Sequence, residues 1–394
     1  MPGKRAVAAV LVTCAAWCAS CTGAPPKPLS VTPARSSPAP ASSPAPASPA
    51  IASATPVCFG AMPAEWVRAL RARSVTSPAG TYFGPGGVAG GAAIGQFNSA
   101  ASSGIGLLDM TTGRLTTISR YAGPMGGMGA MAIEAPWVVW EEADSQSATE
   151  TSLDDWTVHA WNLTLGQGRV LATSRLANGK YLTGQAPVPV VRDGIAAWAQ
   201  PVPSPDHYNR AQVRVVDLVT GKMTVLDTGR VSSPVYAGPY LVWGKIDSAG
   251  RYLLRVADAA DLKLVSTPAP LRDPRPLLYL AGSPQYLAWS SADLNTLTVW
   301  RVGSGRLLRF TQSDSGHPFQ FPQLAGHFVL WYTGTGTSVL DLRSGDAFDI
   351  AGSAAASPGT IAVEQQISQP PKGSYASTRV STLPISAMPR VSTC

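Results

Sequence analysis

Short apolar runs that end in an aromatic residue return along this chain. They are "WVVW" at Trp137–Trp140, "IAAW" to Trp198, "YLVW" to Trp243, "YLAW" to Trp289 and "FVLW" to Trp331, with weaker versions "AAIGQF" to Phe97 and "TIAV" to Val363. After each comes a stretch that alternates apolar and polar residues about a turn, such as "GLLDMTTGRLTTI", "VRVVDLVTGKMTVL", "LTVWRVGSGRLLRF" or "SVLDLRSGDAFDI". Alternation with period two reads as half-buried β-strand. The Thr-Gly and Ser-Gly pairs are turn chemistry, with Gly113, Gly221, Gly305 and Gly345 able to take φ > 0.

Most intervals between copies are about 40–58 residues, a period that points to a β-propeller. Each copy is three or four short strands, too small a sheet to stand alone. Closing a ring lets every sheet bury both faces against its neighbours and leaves only short edges. The repeated tryptophans then belong between blades. The expected fold is all-β, a propeller of seven blades with six as the alternative, plus one short helix at "PAEWVRALRARS" (63–74). Pro63 suits the first helical turn, and Trp66, Val67 and Leu70 share a face. Arg68, Arg71 and Arg73 make the helix either a lid over one end of the ring or a basic element for a partner.

The N-terminus follows other rules. Lys4 and Arg5 precede the apolar run "AVAAVLVTCAAW" and a small-residue zone holding Cys14, Cys18 and Cys21. A basic start, a short apolar core and small residues describe a secretory signal peptide. The run is shorter than the ~20 apolar residues of a membrane span. A structural zinc site would need four ligands on a folded scaffold, and a redox Cys-x-x-Cys a following helix. "CASC" resembles the lipobox of bacterial lipoproteins, with Ala19 and Ser20 before the lipidated cysteine and Cys18 departing from the usual Leu. The resemblance implies diacylation of Cys21 and a membrane tether, with cleavage at Cys14 and plain secretion as alternatives. Residues 1–20 are thus expected as signal peptide and 21–56, nearly all Pro, Ala, Ser and Thr, as a disordered spacer. At about 3.1 Å per residue its reach is roughly 100 Å. Residues 57–394 form the folded domain.

The net charge of +7 overstates the domain's own. Lys4, Arg5, Lys27 and Arg35 precede residue 57 and no acid does, which leaves +3 for the domain. No basic run suggests nucleic acid. Charged residues are 13% of the chain, so Ser, Thr, Gly and Pro carry much of the surface. Cys58 and Cys394 stand at the two ends of the domain, and in an oxidising compartment they are a candidate disulfide.

Taken together, the apolar-Trp and Asp-x-x-Thr-Gly phrases and the exported context resemble TolB-type propellers of bacterial envelopes. "LTVWRVGSGRLLR" also looks like the last hairpin of a WD40 repeat, although the Gly-His and Trp-Asp signatures are missing. The resemblance spans roughly 79–350 and implies fold, since one fold hosts many functions.

No catalytic constellation emerges. His159, His207, His317 and His327 form no His-Glu-x-x-His and no i, i+4 pair. His159 reads as a structural strand residue, and His317 and His327 could approach across a loop. "GPGGVAGGAAIG" (84–95) lacks the Lys-Ser/Thr of a phosphate loop and reads as a flexible approach to the first blade; "GPMGGMGAM" reads as a loop. "SADLNTLTVW" resembles an Asp-box, with Ser291, Asp293 and Asn295 in place and Trp300 two residues late. No cofactor or metal is expected.

Two long connections stand out, "EEADSQSATETSLDDW" and "AQPVPSPDHYNRA". Long loops on a rigid scaffold are where function concentrates. The candidate binding residues are therefore Glu141, Glu142, Asp144, Asp154, Asp155 and Trp156 on the first, and Asp206, His207 and Tyr208 on the second. The expected function is non-enzymatic: a monomeric envelope lipoprotein, held at the outer face of the cell membrane, whose propeller binds a protein, peptide or glycan. The alternative is an exported hydrolase, lyase or dehydrogenase with its site at the channel mouth.

Overall fold

A computed structural model describes residues 53–121, 126–143, 155–182, 184–203, 210–272, 277–312, 316–367 and 375–392. An N-terminal arm comes first: β1 (Thr55–Pro56), β2 (Cys58–Gly60), α1 (Ala64–Ala72) and β3 (Ser74–Thr76). The antiparallel sheets follow in chain order. The first is β4 (Thr81–Ala89), β5 (Ala92–Ser99), β6 (Ser103–Asp109) and β7 (Leu115–Arg120). The next is β8 (Gly127–Glu134), β9 (Trp137–Ala143), β10 (Trp156–Asn162) and β11 (Gln167–Thr173). Then come β12 (Val190–Arg192), β13 (Ile195–Pro201), β14 (Ala211–Asp217) and β15 (Met223–Val231), and β16 (Val235–Ala237), β17 (Tyr240–Ile246) and β18 (Tyr252–Asp258). These two groups are joined only where Arg230 and Val231 pair Ile246 and Lys245. The remaining strands are β19 (Leu277–Gly282), β20 (Tyr286–Ser291), β21 (Thr296–Arg301) and β22 (Leu307–Thr311); β23 (Gln320–Ala325), β24 (Phe328–Tyr332), β25 (Gly336–Asp341) and β26 (Asp346–Ala351); and β27 (Ser353–Ser357), β28 (Thr360–Gln366) and β29 (Thr378–Pro384).

The first strands of successive groups are neighbours in a cycle, and each joint has an identifiable contact in or beside those strands. Gln96 Oε1 accepts from Met128 N at 3.2 Å, Glu134 accepts from Asp193 N, and Arg192 donates to the Gly238 carbonyl. Gly238 N donates to Ser283 O at 3.0 Å, and Tyr279 meets Phe321 with centroids 4.4 Å apart. Gln323 Oε1 accepts from Ala356 N, and Ser357 Oγ from Val88 N, each at 2.8 Å. The last joint returns to β4, so the ring closes. Such a cycle of small antiparallel sheets is a β-propeller.

The apolar-Trp phrases are the second strand of each group. Side chains alternate faces along a strand, so the tryptophan packs on the preceding sheet while its neighbour packs on the following one. Trp140 and Val138 join Ile94 and Ile105 of the sheet before. Trp198 and Ala196 likewise join Val139, Trp156 and Val158. The Asp-x-x-Thr-Gly phrases cap the turn from third to fourth strand. Asp109 Oδ1 accepts from Thr111 N and Thr112 N, and Asp217 Oδ1 from Val219 N and Thr220 N. Gly113, Gly221 and Gly345 take φ of 70°, 77° and 83° there; in the β21–β22 turn Gly303 does so at 78°, rather than Gly305.

The arm dresses the outer edges of the last sheets. β1 pairs parallel with β22, β2 parallel with β26, and β3 antiparallel with β29, whose outer edge it covers. Helix α1 packs its apolar face against the last two sheets. Trp66 is fully buried and meets Phe328 and Phe348 edge-on, at 5.1 and 4.9 Å, while Ser381 Oγ of β29 donates to Leu70 O.

Two glycine-rich stretches are strands, not loops. "GPGGVAGGAAIG" lies across β4, its turn and β5, and "GMGAM" belongs to β8. The reason is crowding. A Cβ on Gly95 would lie 2.1 Å from Gly84 O, and one on Gly86 would lie 2.7 Å from Met131 Sδ.

Candidate functional site

On one face of the ring end the second strands, and there the sequence pattern turns polar. Beyond Trp140 the antiparallel ladder continues, pairing Glu141 with Val158, Glu142 with Thr157 and Ala143 with Trp156. Glu141 and Glu142, expected in a solvated loop, are therefore strand residues, 2% and 6% exposed. Trp156 is also displaced from its expected role: it opens β10 fully buried, in the core with Val158 and Trp198. Asp155 precedes it and is half-buried. Asp144, Asp154, Asp206, His207 and Tyr208 lie outside the described residues, as do Cys21 and Cys394.

Strand alternation sends the two carboxylates to opposite faces of their sheet. Glu141 lies on the face shared with Val139, towards β13; Glu142 lies on that of Trp140, towards the first sheet. Burial, opposed by a backbone hydrogen bond from Gly129 and reinforced by Glu142, pushes the Glu141 carboxyl up to about 8. Gly129 is required in that arrangement, since a Cβ would stand 2.0 Å from Glu141 Oε2. Glu142 Oε2 is 3.5 Å from His159 Nε2. The His159 ring stacks on Trp140, 5.0 Å between centroids and 9° between planes, and burial holds its pKa below the usual histidine value. Tyr121, at the end of the first sheet, is raised by burial and then by Glu142 and Glu141.

This corner leaves polar groups unsatisfied. Tyr121 OH, Trp140 Nε1, Glu141 Oε1 and Trp156 Nε1 are all buried without a hydrogen-bond partner among the described residues. Each such group costs about 1–3 kcal/mol relative to a satisfied one, and native structures hold few of them.

The same rim continues around the ring. Tyr82 OH donates to Glu364 Oε2 at 3.4 Å across the closing joint, and burial raises Glu364. Arg214 donates to Gln200 Oε1 at 3.0 Å, to Gln212 Oε1 at 2.8 Å and to Met223 Sδ at 3.9 Å, and burial lowers its pKa. Asp227 accepts from Trp243 Nε1 at 3.0 Å and pairs with Lys245. Sequence reading passed over Tyr121, Tyr82, Glu364 and Arg214. The available signal was the pair of positions just after each apolar-aromatic run, which holds Glu141 and Glu142, Gln200, Lys245 and Glu364.

Other candidates resolve into structural roles. His317 and His327 do not meet: His317 stacks on Phe59 and faces Asp349 at 3.2 Å, whereas His327 packs on Phe328. In the Asp-box-like stretch Ser291 Oγ bonds Asp293 and accepts from Thr296 N, and Asp293 accepts from Asn295 N, which makes it a turn. Among the described residues no group of three or more His, Cys, Asp or Glu could hold a metal, and no helix is long and apolar enough to cross a membrane.

Compared with protein-family models and with curated proteins, the sequence matches none. Among solved structures it is similar to a prolyl endopeptidase, at 14% identity and TM-score 0.49, over 82% of this chain and 49% of that one. It is similar to TolB of Acinetobacter baumannii, at 11% identity and TM-score 0.41, over 62% of this chain and 58% of that one. It is also similar to the β-propeller domain of the Trilobed protease of Pyrococcus furiosus, at 6% identity and TM-score 0.49, over 79% of this chain and 97% of that one. The chain therefore spans about half the length of the first of these and 58% of the second.

Proposed function

We propose that this protein is an extracytoplasmic binding module, a seven-bladed propeller that recognises its partner on the face where the second strands end. The count of seven reads β12–β15 and β16–β18 as separate blades, because only two residue pairs join them. One observation carries the choice of face. Among the described residues Tyr121 OH, Trp140 Nε1, Glu141 Oε1 and Trp156 Nε1 have no protein hydrogen-bond partner there, and buried polar groups of this kind mark where water or a bound partner can be held. On the opposite face the Asp-capped turns satisfy their own amides, and the group left without a partner in the β23–β24 turn is the single atom His327 Nε2. Consecutive Glu141 and Glu142 diverge across the sheet, which favours recognition over the paired-carboxylate chemistry of the alternative, an exported enzyme.

Lipidation at Cys21, a disordered spacer over 21–56 and residence on the outer face of the cell membrane belong to the same proposal. So does a bridge from Cys58 to Cys394, which the bonded state of Cys58 supports and which fits an oxidising compartment. The test places arginine at exposed positions of each face: Ala100, just past the end of β5, and Thr173 on the proposed face, Thr111 and Val219 on the other. Loss of envelope-partner capture in A100R or T173R alone is expected. Loss confined to T111R or V219R sinks the assignment.

A further inference from the structure

We propose that the cleft between α1 and the last sheet is an anion site, taking a phosphate head group on a short apolar stem. It is separate from the rim described above and does not depend on it. The helix is fixed to β29 by two bonds: Ser381 Oγ donates to Leu70 O at 2.9 Å, and Thr382 N donates to Arg73 O at 3.1 Å. Two residues before Ser381, and so on the same face of the strand, stands Arg379, cross-strand from both Gln365 and Thr76. Arg71 comes from the last turn of the helix. Met62, Val67, Leu70, Arg71, Gln365 and Arg379 enclose about 200 Å³.

Three features fix the ligand chemistry. First, among the described residues neither guanidinium meets a carboxylate, whereas Arg68, Arg251 and Arg343 each pair with a neighbouring acid. Two cations at one cleft repel, and a dianion between them removes the repulsion while accepting both planar forks. The helix dipole accounts for a cation at Arg71 but not for Arg379, which is on a strand. Second, Gln365 adds a neutral donor beside the charges, suited to a third phosphate oxygen. Third, the floor is apolar, with Leu70 only 5% exposed, so part of the ligand is hydrocarbon. The volume lies below the roughly 300 Å³ where drug-sized pockets begin, which limits the ligand to a head group and a short stem. A soluble alkyl phosphate and the head group of an anionic lipid share this chemistry.

The test titrates the full chain with butyl phosphate, inorganic phosphate and butyrate by calorimetry, and with vesicles of phosphatidylcholine carrying or lacking phosphatidic acid. Butyl phosphate is expected to bind at least ~10-fold tighter than inorganic phosphate or butyrate, and Arg71→Gln or Arg379→Gln to weaken it at least ~10-fold, about 1.4 kcal/mol. Vesicle binding that needs phosphatidic acid and is lost in the same variants, without butyl phosphate binding, identifies a lipid as the source and also supports the site. Binding that persists undiminished in both variants overturns the proposal, as does no binding in either arm, or equal affinity for inorganic and butyl phosphate. Circular dichroism and the melting temperature of both variants verify that the exposed substitutions leave the fold intact.

Discussion

Replacing Glu141 with Gln should make the protein more stable at alkaline pH and leave it nearly unchanged at acidic pH. The carboxyl titrates at about 8 in the folded chain against 4.5 in the unfolded one. The folded state therefore holds a proton that the unfolded state has released, so stability falls as pH rises between those values. It is fully present below about 4.5 and lost as pH passes through about 8. At about 1.4 kcal/mol per unit, the penalty is an upper bound of about 5 kcal/mol above pH 8, and water penetration reduces it to about 2–4 kcal/mol. Gln keeps an oxygen for Gly129 N and has no charge to desolvate. Urea denaturation of wild type and E141Q at pH 5 and pH 8.5 gives the test as a difference of differences. That comparison cancels the other titrating groups: His159, lowered by burial, contributes the opposite slope, and Glu134 and Glu364, both raised, contribute the same slope. The expected gain for E141Q is about 2–4 kcal/mol at pH 8.5 and within about 1 kcal/mol of zero at pH 5. An equal loss at both pH values would refute a buried, protonated carboxyl.

Gly129→Ala should cost about 1–3 kcal/mol, because its Cβ collides with Glu141 Oε2; in a Glu141→Ala background most of that cost should vanish, as a double-mutant cycle would measure. Trp66→Ala should lose about 3–5 kcal/mol in thermal or chemical denaturation, since Trp66 is fully buried between Phe328 and Phe348; a loss below ~1 kcal/mol would mean the helix is not docked there. A chain beginning at Pro78 lacks β3 and leaves β29 an open edge, and light scattering should report association that the intact chain does not show.

The ring was legible where residues alternate and illegible where room is short. Runs such as "YLVW" and "FVLW" announce second strands because an apolar, β-forming stretch buried on both faces admits little else. The inner strands β4 and β8 hide behind glycines, which read as turn residues although they are there because neighbouring atoms leave no space for a Cβ. The arm was equally hidden. β1 and β2 pair over only two or three residues, in parallel, with strands more than 250 residues away, and no local pattern encodes that. The rim was half legible. "EEAD" marked the right corner through its charge, but polar composition suggested a loop, and only pairing with β10 places Glu141 and Glu142 inside the sheet. Tyr121 carried no signal of its own, being a lone aromatic beyond a strand whose importance comes from the carboxylates that fold beside it.

Site-specific photo-cross-linking on intact envelopes reads the recognition face most directly. A photoreactive residue at Ala100 or Thr173 should yield a cross-linked partner that mass spectrometry maps back to those positions, and one at Thr111 or Val219 should yield none. Products arising only from Thr111 and Val219 would place recognition on the turn face and contradict the role assigned to the Tyr121–Glu141 corner.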